Sequence, residues 1–151
     1  MEFRLDDLRG PEIARLLTVH LDFMSRQSPP EFSFALDLDA LRAPEISFWT
    51  VWEDDVLIGC GALKTLSKTE GEIKSMHTIA ARRGDGIGSA IVAHIIAETR
   101  RRGLAKLYLE TGSMEAFLPA RALYARHGFV PCDAFADYEA SEYNTFMSLA
   151  L

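Results

Sequence analysis

Residues 82 to 103 read RRGDGIGSAIVAHIIAETRRRG, with glycines at alternate positions 84, 86 and 88 directly before an apolar run of helical spacing. Glycine supplies the positive backbone φ that a sharp entry into a helix requires, so such a loop joins a preceding strand to the helix that follows. Upstream, EGEIKSMHTIA alternates as a strand does, with Ile73, Ser75, His77 and Ile79 expected on one side and Glu72, Lys74, Met76 and Thr78 on the other. Downstream, Ile87, Ala90, Ile91, His94 or Ile95, and Glu98 mark an amphipathic helix that Gly103 ends. Any fold proposed for this chain has to accommodate that strand, loop and helix.

The start of a helix presents unpaired N–H groups and a dipole that favours an anion by roughly 0.3–1 kcal/mol per exposed contact. Arg82 and Arg83 add positive charge there, which suits a phosphate. A glycine-rich connection tuned only for packing a helix on a sheet would look much the same. A Walker A loop is excluded because no G-K-[ST] follows. Gly84-x-Gly86-x-x-Ser89 comes close to a dinucleotide fingerprint, with Glu110 in roughly the place of its ribose-binding acid. Ser89 breaks that pattern, and a chain opening with a helix and a hairpin lacks the successive βαβ units that fold needs.

With 151 residues, 48% of them hydrophobic, the chain can fill one core and is too short for two, so residues 1–151 are expected to form one domain. Its 22 acidic residues outnumber 16 basic ones, which argues against a nucleic-acid surface. The basic charge is instead local, at Lys74, Arg82, Arg83, Arg100 to Arg102 and Lys106, and suits a small anionic ligand. No window approaches 18 uncharged apolar residues and the first residues, MEFRLDDLRGPE, have no leader-like pattern, so a soluble, cytoplasmic protein without membrane contact is expected. Cys60 and Cys132 belong to no metal-spaced group; reduced thiols and no metal are expected.

The remaining elements read in order as a strand at EFRLDD, a helix over GPEIARLLTVHLDFMSR, a loop over residues 27 to 35 and a short helix near LDLDALR. A hairpin follows in SFWTVWEDDVLIGCGALKTL around EDD. After the glycine loop and its helix come a strand at AKLYLET, a helix over MEAFLPARALYARHG and a last strand at NTFMSLAL.

From Arg83 the loop reads R-x-x-G-x-G, and at this point the chain resembles the GNAT acetyltransferase family, whose coenzyme-A loop has the form [QR]-x-x-G-x-[GA]. The likeness covers nearly the whole chain: the element order agrees, and ARALYARHGF is similar to the family's A-x-x-L-Y-x-x-x-G-F segment. SPPE, GCGALK, LETGS and FADY...NTFM are similar to a bacterial subgroup often called YsnE-like. The resemblance implies an α/β (α+β) GNAT acyl-CoA N-acyltransferase fold, with a central mixed, mostly antiparallel sheet flanked by helices. It also implies transfer of acetyl from acetyl-CoA directly to a primary amine of a small molecule. Folds similar to this one are commonly homodimers. A different class of function, an acyl-CoA-binding sensor of the same fold without turnover, differs in releasing no coenzyme A.

Carried over residue by residue, the resemblance implies that Arg83, Gly84, Asp85, Gly86, Ile87, Gly88 and Ser89 hold the pyrophosphate. Met76, His77 and Thr78 would pair through their backbone with the pantetheine arm. Asp85 departs from the family, where a neutral or basic residue is usual; a carboxylate beside a pyrophosphate lowers the expected affinity, unless it turns to solvent while the backbone binds. Glu72 stands at the offset from Arg83 and Gly86 that the general base has in histone-type members. A solvated strand-end acid or a partner for the Lys74 region would also be a glutamate. Tyr124 matches the tyrosine that protonates the departing thiolate, and a core aromatic is its other reading. His77 reads as a packed or hydrogen-bonded histidine and Cys60 as a buried thiol. Glu31, Asp37, Asp39, Asp133, Asp137, Glu139 and Glu142, interleaved with Phe32, Phe34, Phe135 and Tyr138, would suit a small cationic amine.

Overall fold

The computed structural model describes residues 1–27, 29 and 37–151; the expectations for Glu31, Phe32 and Phe34 lie outside these residues. Seven strands form one sheet in the order β1-β2-β3-β4-β5-β7-β6. They are β1 (Glu2–Leu5), β2 (Ile46–Glu53), β3 (Val56–Thr65), β4 (Glu70–Thr78), β5 (Lys106–Gly112), β6 (Val130–Pro131) and β7 (Asn144–Ala150). Neighbours are antiparallel except β4 and β5, which run parallel because the helix between them carries the chain back to the starting edge. The β2–β3 hairpin turns on Asp54 and Asp55, both at positive φ (50° and 62°), which matches the twist of its strands. β6 carries no alternation from which to be read; its two residues occupy the sheet edge, where a proline costs no ladder hydrogen bond.

Helix α1 (Pro11–Gln27) covers one face of the sheet and helix α2 (Ile87–Arg101) the other. Ile13, Leu16 and Leu17 of α1 pack with Leu41, Phe48, Cys60 and Ala62. Ile87, Ile91 and Ile95 of α2 pack with Val51, Leu63, Ile73 and Leu109. Ile91 and Ile95 have no exposed surface, and burying each such side chain contributes about 1.5–3 kcal/mol. Helix α3 (Leu118–Arg126) is shorter than the sequence pattern suggests, because a 3-10 turn at Glu115–Phe117 precedes it and Pro119 fits only its first turn. The short helix expected near LDLDALR is a single 3-10 turn at Ala40–Arg42.

One sequence expectation fails within β4. Cys60 pairs with His77 and Ala62 with Lys74, so Ser75 and Met76 stand together opposite Gly61 in a β-bulge, with Ser75 at φ 56°. The extra residue reverses the alternation. Glu72, Lys74 and His77 therefore share the α1 face, while Ile73 and Met76 pack on the α2 side. Gly61 is required there by sterics: a Cβ would come within 2.6 Å of Ile91 Cγ2 and 2.9 Å of Met76 Sδ.

Candidate active site

The pairing of β4 with β5 runs from Glu70↔Lys106 to Ile73↔Leu109 and stops there, although β4 continues to Thr78 and β5 to Gly112. Past that point the two strands diverge, and the bulge at Ser75 sits just inside the resulting wedge. Met76, His77 and Thr78 thus lie on a strand whose β5-facing edge has lost its partner, the arrangement to which an extended ligand can add as a further strand. Thr78 leads to the glycine loop, and its Oγ1 would lie 3.9 Å from a Cβ at Gly88.

The loop itself is open. Gly84 and Gly86 have φ of 85° and 82°, and a Cβ on either would meet nothing within 4 Å. The first backbone bond of the helical ladder is donated by Ala90 N–H to the Gly86 carbonyl. The amides of Gly86, Ile87, Gly88 and Ser89 precede that ladder and point out of the helix end. Asp85 is not a bare charge, since its Oδ2 accepts from Arg82 Nε at 2.8 Å and Arg82 also reaches Glu53 Oε1 at 3.1 Å. Arg83 makes no ion pair among the described residues, and its guanidinium lies 6.0 Å from the Phe23 ring. Ser89 Oγ lies 2.8 Å from His127 Nε2, tying the first turn of α2 to the end of α3.

On the α1 face, Glu72 is 2% exposed and its Oε2 accepts from Lys74 Nζ at 3.0 Å and from Tyr138 Oη at 2.6 Å. Lys74 also donates to Tyr138 Oη at 2.7 Å. Burial, and after it the charge of Glu72, raise the Tyr138 phenol well above its ordinary range. Of the structural alternatives left by the sequence, Glu72 is thus the partner for the Lys74 region and not a solvated strand-end acid.

Glu110, on β5, is a neighbour of this cluster that sequence reasoning weighed only as a ribose-binding acid and not as part of this site. Leu107 and Leu109 pack in the α2-side core, so Glu110 points to the other face, where it senses Lys74 and Glu72. Burial pushes its carboxyl up to about 7, against the pull of the Asn144 amide and Lys74. Asn144 Nδ2 is buried without a hydrogen bond of full geometry. Tyr124, 6% exposed, reaches the same region from α3 and packs edge-on against Phe129 at 5.9 Å; burial, and next the charge of Glu110, raise its phenol. The alternation of KLYLET is the signal that could have singled out Glu110.

Other expected residues lie elsewhere. His77 is buried, with Nδ1 3.1 Å from Nδ1 of His20. Cys60 is fully buried and its thiol is pushed up to about 12 by that burial. Phe135 stacks on Tyr108 with ring centres 4.6 Å apart and is a core ring rather than one free to receive a cation. Asp133 and Asp137 line a separate open cleft of about 1100 Å³ with Lys64, Lys106 and Glu70, near the start of β4 and β5. Asp37 caps the turn at Ala40 and Asp39 pairs with Arg42.

The sequence profile of the acetyltransferase (GNAT) family matches residues 13–129. The chain is 48% identical over 151 residues, all of both chains, to the uncharacterized N-acetyltransferase YsnE of Bacillus subtilis (strain 168). It is 43% identical over 148 residues to the uncharacterized N-acetyltransferase YedL of Escherichia coli (strain K12), covering 98% of this chain and 93% of that one. Its fold resembles that of an acetyltransferase from Elizabethkingia anophelis with acetyl-CoA bound, at TM-score 0.73 and 16% identity over 99% of this chain and 97% of the other. Among the described residues no helix is long and apolar enough to cross a membrane.

Proposed function

The chain belongs to the GNAT acetyltransferase family, and on that premise we propose that it passes the acetyl group of acetyl-CoA directly to the primary amine of a small molecule. The observation that carries this reading is the wedge between β4 and β5, with the open glycine loop following β4 and Tyr124 and the Glu72 cluster beside the point of divergence. In this reading the amides at the start of α2 and the guanidinium of Arg83 bind the pyrophosphate, with Asp85 neutralised by Arg82. The backbone of Met76, His77 and Thr78 pairs with the pantetheine arm, which directs the thioester into the wedge.

The acceptor approaches from the α1 face. Its nitrogen attacks the thioester carbonyl, the C–S bond breaks as the adduct collapses, and the Tyr124 phenol gives the thiolate its proton, regaining one from the acylated nitrogen. Glu72 enters as the buried anion that holds Lys74 and Tyr138 in place beside the wedge.

The test is release of coenzyme-A thiol from acetyl-CoA across polyamines, aromatic amines, amino acids and aminophosphonates. Amine-dependent release with formation of the acetylated product is expected. Acetyl-CoA binding with release no faster than background hydrolysis for every acceptor would replace the enzyme reading with that of an acyl-CoA-binding sensor.

A further inference from the structure

We infer that Phe23 of α1 is a clasp that closes over the pantetheine arm, a positioning role that rests on the placement of acetyl-CoA in the reading above. Its ring touches both sides of the wedge. On the β4 side, the Arg83 guanidinium of the glycine loop lies 6.0 Å from the centre of the Phe23 ring. On the β5 side, Phe117 packs edge-on against Phe23 with ring centres 5.8 Å apart. Phe117 belongs to the 3-10 turn that follows β5, and its ring occupies the space that a side chain at Gly112 would need. Gly112 is the last residue of β5 and shares the face of Glu110, so the Phe117 ring lies on the divergent end of that strand. One turn earlier on the same side of α1, His20 contacts His77 of β4.

These contacts roof the wide end of the wedge. Ile13, Leu16 and Leu17 commit the rest of α1 to Phe48 of β2 and to Cys60 and Ala62 of β3, so Phe23 reaches past that core to the far side of the gap. The ring is half-buried, which leaves part of it to receive a ligand. An arm that adds as a strand to Met76, His77 and Thr78 runs beneath this roof. Its amides can satisfy the strand edge, while its geminal dimethyl group and methylenes are the apolar parts that an aromatic ring can bury. With Arg83 on the pyrophosphate, Phe23 meets the cosubstrate where its charged and apolar parts join. It touches no reacting atom; it fixes the arm and leaves the acceptor the opening further along the wedge, beside Glu72 and Tyr138.

The experiment measures binding of two ligands, acetyl-CoA and 3′-phosphoadenosine 5′-diphosphate, the second of which keeps the pyrophosphate and lacks the arm. The proteins are wild type, Phe23→Ala, Phe23→Gln, Phe23→Leu and Arg83→Ala. Phe23→Ala should weaken acetyl-CoA about tenfold, the effect of losing one ring's apolar contact, and should bind the nucleotide as wild type does. Phe23→Gln, a polar side chain that suits a helix, should show the same selective loss and serves if the alanine variant folds poorly. Phe23→Leu keeps apolar bulk and should lose less than about threefold. Arg83→Ala should weaken both ligands. In turnover with the best amine from the screen, Phe23→Gln should raise KM for acetyl-CoA about tenfold and leave KM for the amine unchanged. Acetyl-CoA affinity of both polar and alanine variants within about threefold of wild type, or an equal loss for the nucleotide, would overturn the clasp; the second result would assign Phe23 to the support of Arg83. Wild type that binds neither ligand would remove the placement of acetyl-CoA itself, and the clasp with it.

Discussion

His20 Nδ1 and His77 Nδ1 lie 3.1 Å apart in the buried contact between α1 and β4, a distance that demands one protonated and one bare nitrogen. Burial pulls both rings down to about 4; the second ring adds its repulsion at His20 and Arg83 at His77. The unfolded chain takes up these protons near the ordinary histidine value of 6.5 while the native protein refuses them, so stability is complete above that pH and falls as pH drops towards 4. One such group contributes up to roughly 3 kcal/mol. Urea titrations at steps between pH 7 and 4 should show that slope, and His20→Gln, which keeps a hydrogen-bonding side chain beside His77, should flatten it. An equal slope in the variant would assign the acid sensitivity to other groups.

Gly86→Glu should separate ligand binding from folding. A side chain there meets no neighbour, and the cost in the free protein is the strain of a non-glycine residue at φ 82°, roughly 1–2 kcal/mol. The added bulk and charge stand where a pyrophosphate would approach. Wild type should gain thermal stability from acetyl-CoA, by about 2.7 kcal/mol at one hundred times its dissociation constant, and should not respond to NADH. The variant should fold and show no acetyl-CoA shift; an undiminished shift would place the phosphate elsewhere.

Tyr124→Phe leaves the ring in its contact with Phe129 and removes only the hydroxyl. Acetyl-CoA binding should hold while kcat falls by about 10²–10⁴-fold, the usual effect of one lost proton-transfer group. Full kcat with a good acceptor would make Tyr124 a packing residue.

Breaking the Lys74–Glu72 pair from one side strands a buried charge. With side chains 8% and 2% exposed, each of Lys74→Met and Glu72→Leu should cost about 3–5 kcal/mol, and the double variant clearly less than their sum. Urea unfolding at pH 7 measures this. Additive losses would mean that the pair contributes no coupling and that solvent reaches it.

Much of this architecture could be read from the chain because each element carries a local signal. Pro11 and the repeat of Ile13, Leu16 and Leu17 announce α1, the Asp54-Asp55 turn announces the hairpin, and Gly84 and Gly86 announce the entry to α2. The site was legible only where it is local too. Tyr138 reaches Glu72 across 66 residues of sequence, and nothing in DAFADYEA points to that partner. The bulge was hidden because Ser75, rather than a glycine, takes the positive φ, so alternation carried through it assigned Lys74 and His77 to opposite faces. Glu110 was visible as a strand residue, but its raised carboxyl was not, since that comes from burial beside Asn144 of β7 and Lys74 and Glu72 of β4.

The seam between β4 and β5 holds four residue pairs, fewer than the six between β3 and β4 or the seven between β5 and β7 on either side of it. Mechanically the sheet is therefore two leaves on a short spine, β1 to β4 on one side and β5 to β7 on the other, with α2 packed on β3 and β4 of the first leaf. A cosubstrate that inserts as an extended strand into the gap would lengthen the spine, supplying hydrogen bonds the polypeptide leaves unmade. Loading the enzyme would in this way finish the sheet, and product release would unstitch it, so that catalytic cycling and the stiffness of the whole molecule rise and fall together.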